Sequence, residues 1–438
     1  MNIKDKISDG WEVFSFGNKE LVNIIDGDRG KNYPKEKDFF DEGYCLFLNT
    51  KNVTNRGFNF NTNKYITKEK DNSLRSGKLN RYDIVMTTRG TIGNCGFYDD
   101  FVKYDNIRIN SGMVIFRVIS DKIFQKYLYM FLTSNIMREQ ILSCTTGTAQ
   151  PQLPIWTINK LYFFLPPLSE QKRIASILSS FDDKIELNNK TNKILEEMAQ
   201  TIFKEWFINF NFPNEDGKPY KKSGGEMIDS ELGKIPKGWK VGTIGDYAKL
   251  KSGFAFKNSW WQNDGIPVIK IQNISSGNLN LEQCSFVSED KYNIAENFRV
   301  NGGDLLITLT GSLCKFTIVP KLDKDALVNQ RVGKFFLGEE PVKKLPFLYG
   351  ILNELKDLIV SLANGSVQQN ISPTDVENVK IIFPNDKILN KYNNLMQDIF
   401  YKIIFNQREN KKLSNIRDSL LPKLMTPNGR RADGEIRV

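Results

Sequence analysis

The stretch "SEQKRIASILSSFDDKIELNNKTNKILEEMAQTIFKEWF", Ser169 to Phe207, decides how the rest of the chain is read. Ile174, Leu178, Phe181, Ile185, Asn188, Asn192, Leu195, Ala199, Ile202 and Trp206 step by four and three, which is a sustained heptad seam. Pro166 and Pro167 precede it, Ser169 is predicted as the N-cap with Glu170 in the first turn, and Pro213 lies beyond the end. About 38 residues at 1.5 Å each make a rod of roughly 57 Å. A small globule cannot cover a seam of that length, so the pattern predicts a second long helix.

The second helix is written near the other end. Tyr392, Met396, Ile399, Ile403, Asn406, Asn410, Leu413, Arg417, Leu420 and Leu424 occupy matching seam positions, with Arg417 departing from the apolar pattern. Both helices place Asn at two consecutive seam positions, Asn188 with Asn192 and Asn406 with Asn410. Polar seam residues weaken a helix pair but fix its register. The two helices are expected to pack on each other, antiparallel, as a spacer.

Working outward, the matching continues. "TGTAQPQLP" (Thr146–Pro154) has a counterpart in "NGSVQQNIS" (Asn364–Ser372), and "INKLYFFLPP" (Ile158–Pro167) in "VENVKIIFPN" (Val376–Asn385). Upstream, "YDIVMTTRGTIG" (Tyr82–Gly93) parallels "GDLLITLTGSLC" (Gly303–Cys314), and "LNTKNV" (Leu48–Val53) parallels "KIQNI" (Lys270–Ile274). At the start, "DGWEVFSFG" (Asp9–Gly17) parallels "KGWKVGTIG" (Lys237–Gly245). Five blocks in one order predict a domain duplication, with a period far too long for a solenoid. Each copy opens with short strands, Gly and Asn turns and aromatics, the mark of an irregular mixed α/β or mostly β globule. Between the copies, Asn211 to Trp239 is rich in Gly, Pro, Lys and Asp and reads as a linker.

Composition narrows the function classes. Apolar residues at 40% and charged residues at 26% fit a globular chain with cores to bury. No run approaches the length of a membrane span, and the polar N-terminus lacks a signal-peptide apolar segment, so cytoplasm is the expectation. The net charge of +10 favours a polyanionic partner, most economically nucleic acid. The chain has no histidine, which removes the commonest general base and the Ser-His and Cys-His pairs. Its 5 cysteines stand singly with no CxxC, so neither a zinc ribbon nor a disulfide framework is predicted, and no metal site. There is no Walker A, no Pro-Asp nuclease dipeptide and no Asn-Pro-Pro-aromatic motif for amino-methyl transfer. A binding module is favoured over an enzyme.

"LPPLSEQKRIASILSSFDDKIELNNKTNKILEEMAQTIFKEWF" (Leu165–Phe207) resembles the first conserved region of the specificity (S, HsdS) subunits of Type I restriction-modification systems. The "GTAQPQL" and "GSVQQNI" loops, the "GW" starts and the repeat order fit the same family, over nearly the whole chain. The resemblance implies an α+β fold: two similar α/β target-recognition domains separated by a long antiparallel two-helix coiled coil, as a pseudo-twofold internal duplication. In this chain it implies recognition domains at residues 1–166 and 237–385, conserved helices at 167–210 and 386–426, a linker at 211–236 and a tail at 427–438. It further implies that each domain reads one half of a bipartite, asymmetric double-stranded DNA site. The coiled coil would dock two modification (methyltransferase) subunits, which carry S-adenosylmethionine. Two restriction subunits could add ATP- and Mg-driven translocation and cleavage. No cofactor is implied for this chain. The alternative is a coiled-coil adaptor or stand-alone S subunit that binds modification subunits without productive DNA recognition.

Base readout needs Arg, Lys, amide or hydroxyl side chains on loops that reach a groove. The candidates in the first copy are Lys51, Asn52, Thr87, Thr88, Arg89, Asn110 and Ser111. In the second they are Lys270, Gln272, Asn273, Thr308, Thr310, Asn329, Gln330 and Arg331. The repeated amides Gln150, Gln152, Gln368 and Gln369 are read either with these or as ties to the coiled coil. Purified chain incubated with DNA, S-adenosylmethionine, ATP and Mg²⁺ should leave the DNA unchanged. Methyl incorporation or cleavage without another subunit would contradict the reading.

Overall fold

A computed structural model describes residues 10–55, 57–144, 152–275, 278–281, 284–363 and 369–427. The chain divides into two compact units, Met1–Asp183 with Ser414–Val438, and Lys184–Leu413.

In the first unit, β1 (Val22–Asp26), β2 (Cys45–Leu48), β3 (Ile84–Thr87), β4 (Cys95–Phe97), β5 (Ile107–Ile109) and β6 (Met113–Val118) carry the loops that bear the candidate residues. An antiparallel sheet runs in the order β1–β6–β3–β4. β2 lies parallel to β5 in a second sheet, Leu46 opposite Ile107. β3, "IVMT", is buried along its length, so it shows the continuous apolar run of a covered strand rather than alternation. Its entry is set by Asp83, whose buried carboxylate accepts two bonds from the Arg117 guanidinium, at 3.0 and 2.7 Å. Glu12–Ser15 pairs antiparallel with Tyr162–Leu165, so the first and last strands of the globule close on each other.

The second unit repeats this order of elements. β7 (Lys249–Ser252), β8 (Ile266–Ile269), β9 (Leu305–Thr308), β10 (Phe316–Ile318), β11 (Ala326–Val328) and β12 (Val332–Phe336) form a β7–β12–β9–β10 sheet and a parallel β8–β11 pair. Asp304 stands where Asp83 does and is ion-paired with Lys334 at 2.6 Å. Lys240–Thr243 pairs with Lys380–Phe383.

The stretch expected as a linker is folded into this unit. Met227–Ser230 and Gly233–Pro236 make a hairpin, and buried Phe212 stacks on both Tyr220 and Trp239 with ring centroids 4.6 and 4.9 Å apart. Its Gly, Pro and Lys content reflects turns, not a loose tether. Among the described residues no helix is long and apolar enough to cross a membrane.

The long helices are α1 (Leu168–Phe203, 36 residues), continued by a π turn over Lys204–Ile208, and α2 (Asp386–Met425, 40 residues). α1 starts two residues earlier than a Ser169 cap would place it. The Pro167 carbonyl accepts the N–H groups of Glu170 and Gln171, so Ser169 lies inside the first turn rather than capping it. Gln171 anchors this end: its buried amide donates to the Pro166 and Lys122 carbonyls at 2.8 Å each and accepts the Phe124 N–H at 2.8 Å.

In the first unit Ile174, Ala175 and Leu178 of α1 and Leu424 and Met425 of α2 complete the core around Phe131 and Phe163. Leu420 packs at its edge, and Phe181 is half-buried. Arg417, the departure from the apolar pattern, bonds Asp182 at 2.5 Å. In the second unit Phe203, Trp206, Tyr392, Met396, Phe400 and Ile403 are buried together. Burying each such side chain contributes about 1.5–3 kcal/mol. Ile185, Leu195, Ile202, Ile399 and Leu413 are half-buried. Gly350 is required here, because a Cβ would fall 2.1 Å from a Phe203 ring carbon.

The seam asparagines meet in register. Asn406 is fully buried and donates to Asn192 Oδ1 at 2.8 Å. Asn188 donates to Asn410 Oδ1 at 2.8 Å and to Glu409 at 2.7 Å, and Asn410 donates to Asn189 at 2.8 Å. Partner numbers fall along α2 as they rise along α1, so these segments run in opposite directions. Asn192→Ala leaves the Asn406 amide without its acceptor and should cost about 1–3 kcal/mol in urea unfolding. Leu at both positions should cost less than the sum of the two single changes, because both polar groups leave together. Strictly additive losses would show that the pair is not coupled.

Candidate nucleic-acid interface

Each unit gathers three loops at the C-terminal ends of its strands. In the first unit they follow β2, β3 and β5. The Asn110 N–H donates to the Leu48 carbonyl at 3.0 Å, and the Thr88 N–H donates to the Gly112 carbonyl at 2.8 Å. A Cβ at Gly112 would stand 3.0 Å from the Thr50 methyl, 3.2 Å from Asn110 Oδ1 and 3.8 Å from Arg89 Cβ. The loops bearing Lys51, Arg89 and Asn110 therefore meet at this glycine. In the second unit the Asn329 N–H donates to the Ile269 carbonyl at 2.9 Å, and the Leu309 N–H donates to the Arg331 carbonyl at 3.0 Å. The loops bearing Gln272, Thr310 and Arg331 meet in the same way.

Six of the expected contacts are turned inward. The Thr87 hydroxyl, fully buried, donates to the Thr91 carbonyl and accepts the Asn94 N–H at 3.1 Å. Thr308 repeats this with the Ser312 carbonyl at 2.5 Å and the Lys315 N–H at 3.0 Å. These hydroxyls hold the turn shut. Gly90 and Gly311, at φ of +72° and +74°, provide the left-handed residue that the turn needs. Asn52 and Asn273 are each 1% exposed. Asn52 accepts the Asn49 N–H at 2.9 Å and donates to the Asn59 and Thr62 carbonyls at 3.0 Å each. Asn273 accepts the Lys270 N–H at 2.9 Å and donates to the Asn280 carbonyl at 3.1 Å. Thr88 and Thr310 are buried beside them. A short polar side chain after a strand closes its own turn before it reaches outward, and sequence alone does not separate the two uses.

Lys51, Arg89, Gln272, Gln330 and Arg331 are exposed at the rims of these clusters. Asn110, Ser111 and Asn329 are half-buried; the Asn110 amide oxygen accepts the Gly112 N–H at 2.9 Å. Lys270 is drawn back: its ammonium lies 3.6 Å from the Trp261 ring centre and donates to the Ser285 hydroxyl at 2.7 Å. Burial lowers its pKa from the usual lysine range.

The repeated amide loops return against the same turns. Leu153 donates its N–H to the Thr88 carbonyl at 3.0 Å, and Arg89 and Gln152 pair through their backbones. In the second unit Ile371 donates to the Leu309 carbonyl at 2.9 Å, and Thr310 pairs with Asn370. Gln152 and Gln369 are exposed there; Gln150 and Gln368 lie outside the described residues.

Sequence reading passed over the loop Gly27–Gly30 and Arg75 in the first unit. In the second it passed over Trp260, with Lys257 and Lys291 at 5.8 and 5.2 Å from its ring. Arg29 stands between two glycines in "DGDRG", just after a strand, the same placing as Arg89 before Gly90. That signal was available. Among the described residues no three His, Cys, Asp or Glu side chains gather to hold a metal ion.

The family description for the Type I restriction modification DNA specificity domain matches this chain twice, over residues 8–197 and 236–415. The chain belongs to that family. Among Type I specificity relatives, the MjaIX specificity subunit of Methanocaldococcus jannaschii is 32% identical over 366 residues, 81% of this chain and 78% of its own. The MjaVIII specificity subunit of the same organism is 26% identical over 442 residues, 99% of this chain and 94% of its own. The solved Type-I restriction-modification S subunit from M. genitalium shares the fold, with a TM-score of 0.53 at 16% identity over 97% of this chain and 98% of that one.

Arg89 separates three uses of an exposed rim residue. If it forks onto a guanine edge, Arg89→Ala should cost about 1–3 kcal/mol and relax one base position. If it touches phosphate, binding should weaken on every sequence and the salt slope should fall by about one. The expected outcome is the first. Competition binding against single-base variants at two salt concentrations checks it, and an unaltered affinity and base profile removes Arg89 from the interface.

Proposed function

We propose that this chain is the non-catalytic, sequence-reading subunit of a Type I restriction-modification complex. It is read as an internal duplication with recognition domains at 1–166 and 237–385. Each domain reads one half of a bipartite, asymmetric site in double-stranded DNA. α1 and α2 form the antiparallel coiled coil on which two modification subunits dock. S-adenosylmethionine belongs to those subunits, and ATP with Mg²⁺ to two restriction subunits where they assemble.

The double family match supports this reading, because each matched segment contains one three-loop cluster and most of one long helix. A protein that presents the same surface twice suits two identical partners and two short DNA words. The buried turn threonines and asparagines are alike in the two clusters, while the matching position beyond the turn differs, an exposed Arg89 against a buried Thr310. Alike frames with unlike tips are what two half-sites of different sequence require. The excess of basic residues supplies phosphate contacts.

Methylome sequencing of a host expressing the chain with its modification subunit should return one split motif with an unread gap. Replacing residues 10–160 by the same region of a relative should change one half of that motif and leave the other. A change in both halves, or methylation without a motif, would overturn the reading in favour of an adaptor.

A further inference from the structure

The loop Gly27–Gly30 follows β1 and lies against the interface loop of β5. A Cβ at Gly27 would stand 2.2 Å from the Asn110 carbonyl oxygen. The next residue, Asp28, is 4% exposed. Its carboxylate accepts the Gly30 N–H at 2.5 Å and the Arg75 N–H at 2.6 Å, and the Arg75 Nε is 4.0 Å away. Burial opposes its ionisation. The backbone donors and the Arg75 guanidinium outweigh that and hold its pKa below the usual carboxylate value. One buried charge thus fastens two loops, each bearing an arginine.

The two arginines are held differently. Arg29 is tethered through Nη2, which donates to the Ser111 carbonyl at 3.2 Å and pairs with Asp26 at 3.1 Å. Among the described residues its Nε and Nη1 have no protein partner. Its side chain is 51% exposed, beside the loop that meets Arg89 at Gly112. Arg75 is 78% exposed, and Asp28 is its one charged neighbour at that range among the described residues. Gly30 makes room for it, since a Cβ there would be 2.5 Å from Arg75 Nη2. Among the described residues the second unit has no such pair. Gly253 takes the place of Gly27, 2.5 Å by the same measure from the Asn329 carbonyl oxygen. Phe254, Ala255 and Phe256 follow it, with Phe254 stacked on Trp260 at 5.9 Å.

We infer that Arg29 is a specificity-determining residue of the first unit, reading a guanine edge, that Arg75 contacts the neighbouring phosphate, and that Asp28 is their positioning residue. This rests on the DNA-reading function proposed above. A tethered guanidinium has already given up much of its side-chain freedom, and its Nε or Nη1 N–H is left to donate to an acceptor on a guanine edge. An exposed guanidinium with one distant partner suits a phosphate, which asks for charge and tolerates loose geometry. The second unit, with aromatic rings in place of the charged loop, lacks this contact, so the asymmetry between the half-sites has a cause in the chain.

The test uses the chain assembled with its modification subunit and duplexes carrying the motif found by methylome sequencing. Arg29→Ala should lose about 5- to 150-fold discrimination at one G·C pair of the first half-site, with the second half-site unchanged. Arg75→Ala should weaken all duplexes alike and lower the salt slope by about one. Asp28→Asn should reduce discrimination at the Arg29 position, yet add nothing further in the Arg29→Ala background. A merely structural Asp28 would reduce it equally in both backgrounds. Loss of folding in Asp28→Asn leaves the two arginine variants as the deciding arms. An unchanged base profile for Arg29→Ala, or relaxation in both half-sites, overturns the inference while the wild-type complex still reads its site. A wild-type complex without sequence preference would overturn the proposed function and this inference together.

Discussion

An amide donor buried between two helices has to find an acceptor. Asn192 and Asn406 meet this demand in the second unit, and Asn188 with Asn410 meets it one turn further along. A slip of α2 by one heptad would put apolar side chains opposite these groups and leave donors unsatisfied, at about 1–3 kcal/mol for each. The leucines and isoleucines of the seam would accept many registers; the asparagines accept one. α1 and α2 also complete the core of each unit, with Leu178 and Leu424 in one and Phe203 and Tyr392 in the other.

The globules are fastened by a second kind of polar contact. Asp83 with Arg117 and Asp304 with Lys334 are carboxylates at strand entries, each buried and each paired. They set where the fully buried strands β3 and β9 begin, and therefore where the following turns emerge. A buried carboxylate is costly without a cation and donors around it. That is why these positions are occupied by matched pairs rather than by lone acids.

Much of this was legible in the sequence. The heptad steps gave the long helices and their seam, and the paired blocks gave the recurring order of strands. The three stretches that meet at each cluster were legible as turns, because Gly, Asn and Thr after an apolar run mark one. What could not be read was the direction of individual side chains. Thr87 and Arg89 are two residues apart, yet one is sealed in the turn and the other stands in water. That outcome depends on the Asn94 and Thr91 backbone groups coming round to meet the hydroxyl, which is tertiary geometry. The residues 211–236 were misjudged for a related reason: their Gly, Pro and Lys content is that of a tether, and only the stacking of Phe212 between Tyr220 and Trp239 reveals a fold. The Arg-Gly placing of Arg29 was legible, but its partners were not, because Ser111 and the Arg75 loop held by Asp28 are distant in sequence.

The sealed turn has an evolutionary consequence. Thr87 and Thr308 close their loops from within, and neither the Arg89 nor the Thr310 side chain contributes to that closure. The tip can therefore drift without unfolding what carries it. Lineages can sample new tips one residue at a time, each variant still folded. Diversity would accumulate at the exposed ends of a frame that selection holds still.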